Sequence, residues 1–152
     1  MTLFLSTFMN KLDKKGRVSV PASFRLVLSG QAFQGIVAFR SYKLPAVEGM
    51  AIERMQRLSD SVDQLDLFSE AQEDLTTTIF ADAQMLAFDG DGRIILPQML
   101  LEHANIKDQV AFVGRGATFQ IWNPKAFEAY QNEARKRVQD KQATLKLKVE
   151  HA

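Results

Sequence analysis

Leu12-Asp13-Lys14-Lys15-Gly16-Arg17-Val18-Ser19-Val20-Pro21 and Phe88-Asp89-Gly90-Asp91-Gly92-Arg93-Ile94-Ile95-Leu96-Pro97 align without a gap. Asp, Gly, Arg and Pro coincide, and Leu12, Val18 and Val20 fall opposite Phe88, Ile94 and Leu96. Self-similarity at a fixed spacing marks a duplicated supersecondary unit. In each copy the glycine stands where a tight turn needs positive φ. The aspartate at the head of the turn can accept hydrogen bonds from backbone N–H groups about two residues on. A hairpin is therefore predicted in each copy. Pro21 and Pro97 end its second strand, because proline donates no ladder hydrogen bond, and both suit the start of a helix. Short helices are predicted over 22–28 and 98–103.

Downstream of each motif, Gly35-Ile36-Val37-Ala38-Phe39 resembles Gln109-Val110-Ala111-Phe112-Val113, and Lys43-Leu44-Pro45-Ala46-Val47 falls opposite Thr118-Phe119-Gln120-Ile121-Trp122. Each copy then reads as strand, turn, strand, short helix, strand, strand. Between the copies Met55, Leu58, Val62 and Leu65 recur at three- and four-residue spacing, which predicts an amphipathic helix with its acidic face in solvent. A last helix is predicted from Asn123-Pro124, an N-cap followed by a first-turn proline, with Phe127, Tyr130, Ala134 and Val138 on one side. Beyond Gln142 the chain is expected to fray. The fold class is mainly β with helices, an α+β arrangement. A first module spans 7–54, a helical acidic connector 55–82, a second module 83–126, and a C-terminal helix and tail 127–152.

Hydrophobic residues make up 46% and charged residues 24% of the 152 positions, the balance of a globular chain that can bury a core. The absence of cysteine excludes disulfide frameworks, thiolate metal sites and cysteine nucleophiles. Met1 to Met9 is apolar but lacks a basic leader, and Asn10, Lys11 and Asp13 interrupt it, so neither export nor membrane insertion is expected. The net charge is only +1. Its distribution says more: Lys11, Lys14, Lys15, Arg17 and Arg25 face the single acid Asp13 in residues 1–30, residues 48–82 are strongly acidic, and the tail is basic again. One face can be cationic while the whole stays nearly neutral.

The repeated Asp-x-x-Gly-Arg has two readings. It can be structural only, with a solvated arginine on a strand. Alternatively, two symmetric turns present a matched pair of cations, with Lys14 and Lys15 approaching a phosphate backbone and Arg17 pairing bidentately with a guanine edge. In the second copy Gly90-Asp91 replaces the two lysines, so the first hairpin is expected to dominate phosphate contact. Paired aspartates also suggest an acid-protease dyad, but Lys14, Lys15 and Gly90 stand where a hydroxyl residue would be wanted. Asp89-Gly90-Asp91-Gly92 closes no calcium loop, because Arg93 and Ile94 fill a ligand position and the sharp-turn glycine position. His103, read as a helix-end residue, and His151 lie near no catalytic or zinc constellation. No nucleotide-binding glycine loop is present. Trp122 and the phenylalanines read as core.

Residues Asn10 to Arg25 resemble the first signature of the MraZ family, and Phe88 to Pro97 its partner. The likeness extends over nearly the whole chain. It implies two SpoVT/AbrB-type swapped-hairpin modules about a pseudo-two-fold axis, forming a β-barrel-like domain with flanking helices. It also implies a cytoplasmic, nucleoid-associated repressor that assembles as a homo-oligomeric ring. Such a ring would bind direct repeats in double-stranded DNA upstream of the cell-division and cell-wall gene cluster. Lys11, Lys14, Lys15, Arg17 and Arg93 would then contact DNA, and Asp13, Gly16, Asp89 and Gly92 would shape the loops. No enzymatic activity, cofactor, metal, membrane or small-molecule substrate is implied. The alternative is a ring-forming protein-interaction module whose basic loops are merely solvated, a reading supported by the acidic amphipathic middle helix.

Overall fold

The computed structural model describes residues 3–149. It is mixed α+β. The first copy contributes β1 (Thr7–Lys11), β2 (Arg17–Ser19), α1 (Ala22–Leu28), β3 (Gly35–Arg40) and β4 (Val47–Met50). α2 (Ile52–Val62) and α3 (Glu70–Leu75) follow, and α3 runs into a π-helical turn over Thr76–Phe80. The second copy contributes β5 (Gln84–Ala87), β6 (Arg93–Ile95), α4 (Gln98–His103), β7 (Gln109–Gly114) and β8 (Phe119–Trp122), and α5 (Pro124–Lys141) closes the order. No helix among the described residues is long and apolar enough to cross a membrane.

The strands flanking each turn do not pair with each other, which corrects the simple hairpin expected from the turn signal. β1 leaves to pair with β7 of the second copy, and β5 pairs with β3 of the first. β2 and β6 pair only with one another, as a separate two-stranded ribbon. The large sheet is antiparallel in the order β1-β7-β8-β4-β3-β5 and is not closed into a barrel. Local turn chemistry fixes the chain reversal; the partner of each strand is set by which copy supplies a matching apolar face.

Register shows the internal symmetry. Val47, Glu48 and Gly49 stand opposite Ile121, Gln120 and Phe119, so a pseudo-two-fold axis relates Glu48 to Gln120 and Val47 to Phe119. The sequence match of Val47 with Trp122 is thereby corrected. The link between β3 and β4 (41–46) is longer than that between β7 and β8 (115–118), which slips the alignment. The same axis passes between Val18 and Ile94 in the ribbon.

β3 and β7 are buried on both faces, which is why they read as unbroken apolar runs. Ile36, Ala38, Val110 and Phe112 point into the main core with Val18, Val20, Ile94 and Leu96 of the ribbon and Phe24, Leu28 and Leu100 of the short helices. The alternate residues face outer helices. Val37, Phe39 and Met50 pack on Met55 of α2, while Ala111, Val113 and Trp122 pack on Phe127 of α5. These sets are symmetry mates, so α2 and α5 hold equivalent places. The apolar spacing predicts an amphipathic helix that includes Leu65; α2 instead stops at Val62. α5 starts as expected, with the Asn123 side chain accepting from the Lys125 and Ala126 N–H groups and Pro124 in the first turn. Of its predicted stripe, Val138 remains exposed.

Phe24, fully buried, lies 5.2 Å from the ring centroids of both Phe4 and Phe119 and 5.7 Å from that of Phe8. Gly49 is required by the same cluster: a Cβ there would stand 2.4 Å from Cε2 of Phe119. Phe24→Ala is expected to lower unfolding free energy by about 3–5 kcal/mol, the usual cost of emptying a buried phenylalanine site. Urea titration followed by Trp122 fluorescence measures it.

Candidate nucleic-acid interface

The two repeated motifs form turns of the same internal design. In the first, the Gly16 N–H donates to the Asp13 carbonyl at 3.0 Å, and the Asp13 N–H donates to the Arg17 carbonyl at 2.9 Å. Asp13 Oδ1 accepts from the N–H groups of Lys15 at 2.9 Å and Arg17 at 2.8 Å, while Oδ2 accepts from Arg17 Nε at 2.7 Å. The second turn repeats this: Asp89 Oδ1 accepts from Asp91 and Arg93 N–H at 2.9 and 3.0 Å, and Oδ2 from Arg93 Nε at 2.9 Å. Gly16 and Gly92 adopt φ of +82° and +75°, which explains the glycine that precedes each arginine.

The turns are also joined across the copies. The Gly16 carbonyl accepts from Leu96 N–H at 2.9 Å, and the Gly92 carbonyl from Val20 N–H at 3.1 Å. Each turn therefore closes the far end of the other copy's strand. In the ribbon between them Val18 and Ile94 point inward and are buried. Arg17, Ser19, Arg93 and Ile95 consequently share the outward face, because side chains alternate along a strand. Arg17 stands opposite Ile95 and Arg93 opposite Ser19, so the two arginines are offset by about 7 Å along the strands.

Both aspartates are held below the ordinary carboxylate range. The Arg17 N–H is the largest influence on Asp13 and the Arg93 N–H on Asp89; desolvation opposes both, and further backbone N–H groups and the arginine side chains add to the lowering. In each turn the carboxylate is paired with its own arginine, which favours its charged form. No group of three or more His, Asp or Glu residues among the described residues could hold a metal ion.

The two arginines differ in what remains available. Arg17 is engaged by a carboxylate only at Nε. Arg93 is engaged at Nε by Asp89 and at Nη2 by Asp91 Oδ2, 3.3 Å away. Lys14 and Lys15 are exposed at the first tip, and Lys11, at the end of β1, is exposed beside it in sequence. A groove of about 900 Å³ opens next to that turn, lined by Lys14, Lys15, Leu101 and Lys107 among others.

At the second turn the matching space is filled. Arg25 of α1 lies against Gly92, where a Cβ would meet its Nη1 at 2.7 Å and its Cδ at 2.8 Å, and its Nε donates to the Val20 carbonyl at 3.1 Å. Gly92 is buried as a result, whereas Gly16 is half-buried. The symmetry mate of Arg25 is Leu101, so alignment of the copies gave no hint of this contact. His103 ends α4, with Nε2 3.0 Å from the Leu44 carbonyl; His151 lies outside the described residues. Trp122 is buried and donates from Nε1 to Gln120 Oε1 at 2.9 Å, with Gln120 donating on to the Glu48 carboxylate.

Comparison with known proteins gives one family. The family model described as "MraZ protein" matches residues 79–149. A protein of Rickettsia bellii (strain OSU 85-389) is 46% identical over 147 residues, covering 96% of this chain and 98% of its own. Proteins of Rickettsia felis and Rickettsia canadensis are 44% and 42% identical over 146 residues, with the same coverage. All three carry the name "Transcriptional regulator MraZ".

Because the folded-state pKa values of Asp13 and Asp89 are depressed, the stability they contribute is complete above the unfolded value of about 4. It is lost as pH falls through their lower folded values. The doubly substituted Asp13→Asn, Asp89→Asn chain is expected to be less stable at neutral pH and to lose less stability on acidification. Urea midpoints at pH 7 and pH 3 compare the two.

Proposed function

The chain belongs to the MraZ family, and from that premise we propose that it is a transcriptional regulator that binds double-stranded DNA through the outward face of the β2–β6 ribbon and its two turns. The observation that carries this reading is the state of Arg17. Asp13 fixes it at Nε and leaves its terminal nitrogens unengaged by carboxylates, on a two-stranded ribbon of the kind a major groove admits. Lys11, Lys14 and Lys15 supply phosphate contacts beside it. Arg93 contributes less, because two carboxylates share it. Asp13, Gly16, Asp89 and Gly92 hold the turns rather than touch DNA.

In its finer form the proposal is that residues 7–54 and 83–126 act as two modules of one DNA-reading unit. Several copies of the chain form a ring that engages direct repeats upstream of its own operon, represses the division and cell-wall gene cluster, and so sits on the nucleoid. Repeated sites and repeated turns together raise affinity through effective concentration. The chemistry is recognition and not turnover.

A gel-shift titration on the DNA upstream of its own gene tests this. Arg17→Ala is expected to weaken binding by about 1–3 kcal/mol, roughly five- to more than hundredfold. Full-strength binding by that variant would remove Arg17 from the site.

A second reading rests on another observation. Leu67 and Phe68, in the acidic link between α2 and α3, are 75% and 88% exposed, and Phe68 is held at φ +64°. An apolar pair presented this way suits a protein partner. Pull-downs with and without nuclease separate the readings: partners lost on DNA digestion support the first, and partners retained support the second.

A further inference from the structure

We propose that Arg25, and not Arg93, is the cation through which the second turn contacts the DNA phosphate backbone. The inference rests on the DNA-binding reading above and extends it to a residue outside the repeated motif. The loop of the second turn carries Asp89 and Asp91 against Arg93 alone, and both carboxylates bind that arginine. Left to itself, this tip would repel a phosphate. Arg25 changes the balance. Its side chain runs beneath Gly92, its Nε is anchored on the Val20 carbonyl, and it forms no ion pair with any acid among the described residues. The residue as a whole is exposed. It is therefore a guanidinium oriented at one nitrogen, packed against a turn, with no carboxylate claiming its other nitrogens. A planar, permanently charged fork of this kind suits a phosphate oxygen.

The arrangement is complementary across the pseudo-two-fold axis. The first turn draws its cations from its own tip, Lys14 and Lys15, and faces Leu101 of α4. The second turn has Gly90 and Asp91 in their place and receives a cation from α1 of the other copy. Both ends of the ribbon then carry a cation that is not neutralised by the turn's aspartates. Gly92 is needed for this in addition to its positive φ, since a Cβ would displace the guanidinium.

The experiment measures the salt dependence of binding to the upstream duplex for the unsubstituted chain, Arg25→Ala, Arg25→Lys and Arg93→Ala, each with a urea midpoint. A cation that neutralises one phosphate contributes about 0.9 to the slope of log K against log salt. Arg25→Ala is expected to flatten the slope by about that amount per bound chain and to weaken binding about equally on all sequences. Arg25→Lys is expected to retain the slope, and Arg93→Ala to change it less than Arg25→Ala. An unchanged slope in Arg25→Ala, whether or not its urea midpoint falls, overturns the assignment and leaves a packing role. Absence of salt-dependent binding by the unsubstituted chain overturns the DNA reading itself, and this proposal with it.

Discussion

Two backbone hydrogen bonds, Leu96 N–H to the Gly16 carbonyl and Val20 N–H to the Gly92 carbonyl, tie each turn to the strand that follows the other turn. Between them the ribbon buries Val18 and Ile94 at the pseudo-two-fold axis. Everything else follows from this exchange. Once β2 and β6 are committed to one another, β1 and β5 must find partners elsewhere, and they take β7 and β3, each from the opposite copy. The copies cannot separate without unpairing all of these strands. Folding of one half thus depends on the other, as contacts this distant in sequence require.

The same exchange positions the candidate interface. Inward residues of so short a ribbon are core, so the outward ones are presented on a rigid base, not on a mobile loop. The Asp–Arg lock completes the positioning. One carboxylate satisfies two turn N–H groups and an arginine Nε, which orders the guanidinium before any ligand arrives. Preordering of this kind reduces the entropy lost when the arginine is engaged. Symmetry of scaffold does not impose symmetry of charge: backbone geometry is duplicated faithfully, while the exposed tips and the residues under them differ.

Much of the scaffold was legible because the signals are local. Glycine before arginine announced the turns, proline after the strands announced α1 and α4, and Asn123-Pro124 announced the start of α5. What proved illegible depends on distance. No turn signal says that flanking strands part company, and no alignment of Arg25 with Leu101 says that the arginine fills a space its counterpart leaves open. The shift that pairs Val47 with Phe119 under the symmetry was hidden by a link longer in one copy than in the other. The equivalence of α2 and α5 was hidden too, since Met55 and Phe127 share only apolarity and the face they cover.

Residue order along the chain is enough to establish that it is duplicated, where it turns, which residues form the short helices, and that an aspartate and an arginine recur together at each turn. Those are matters of φ preference, missing N–H groups and hydrogen-bond reach within a few residues. Long-range packing is what makes the copies interlock, sets the two arginines on one outward face, and brings a cation from the first copy's helix to the second turn. These depend on which apolar faces meet and how much space they leave, and residues far apart in the chain settle that together.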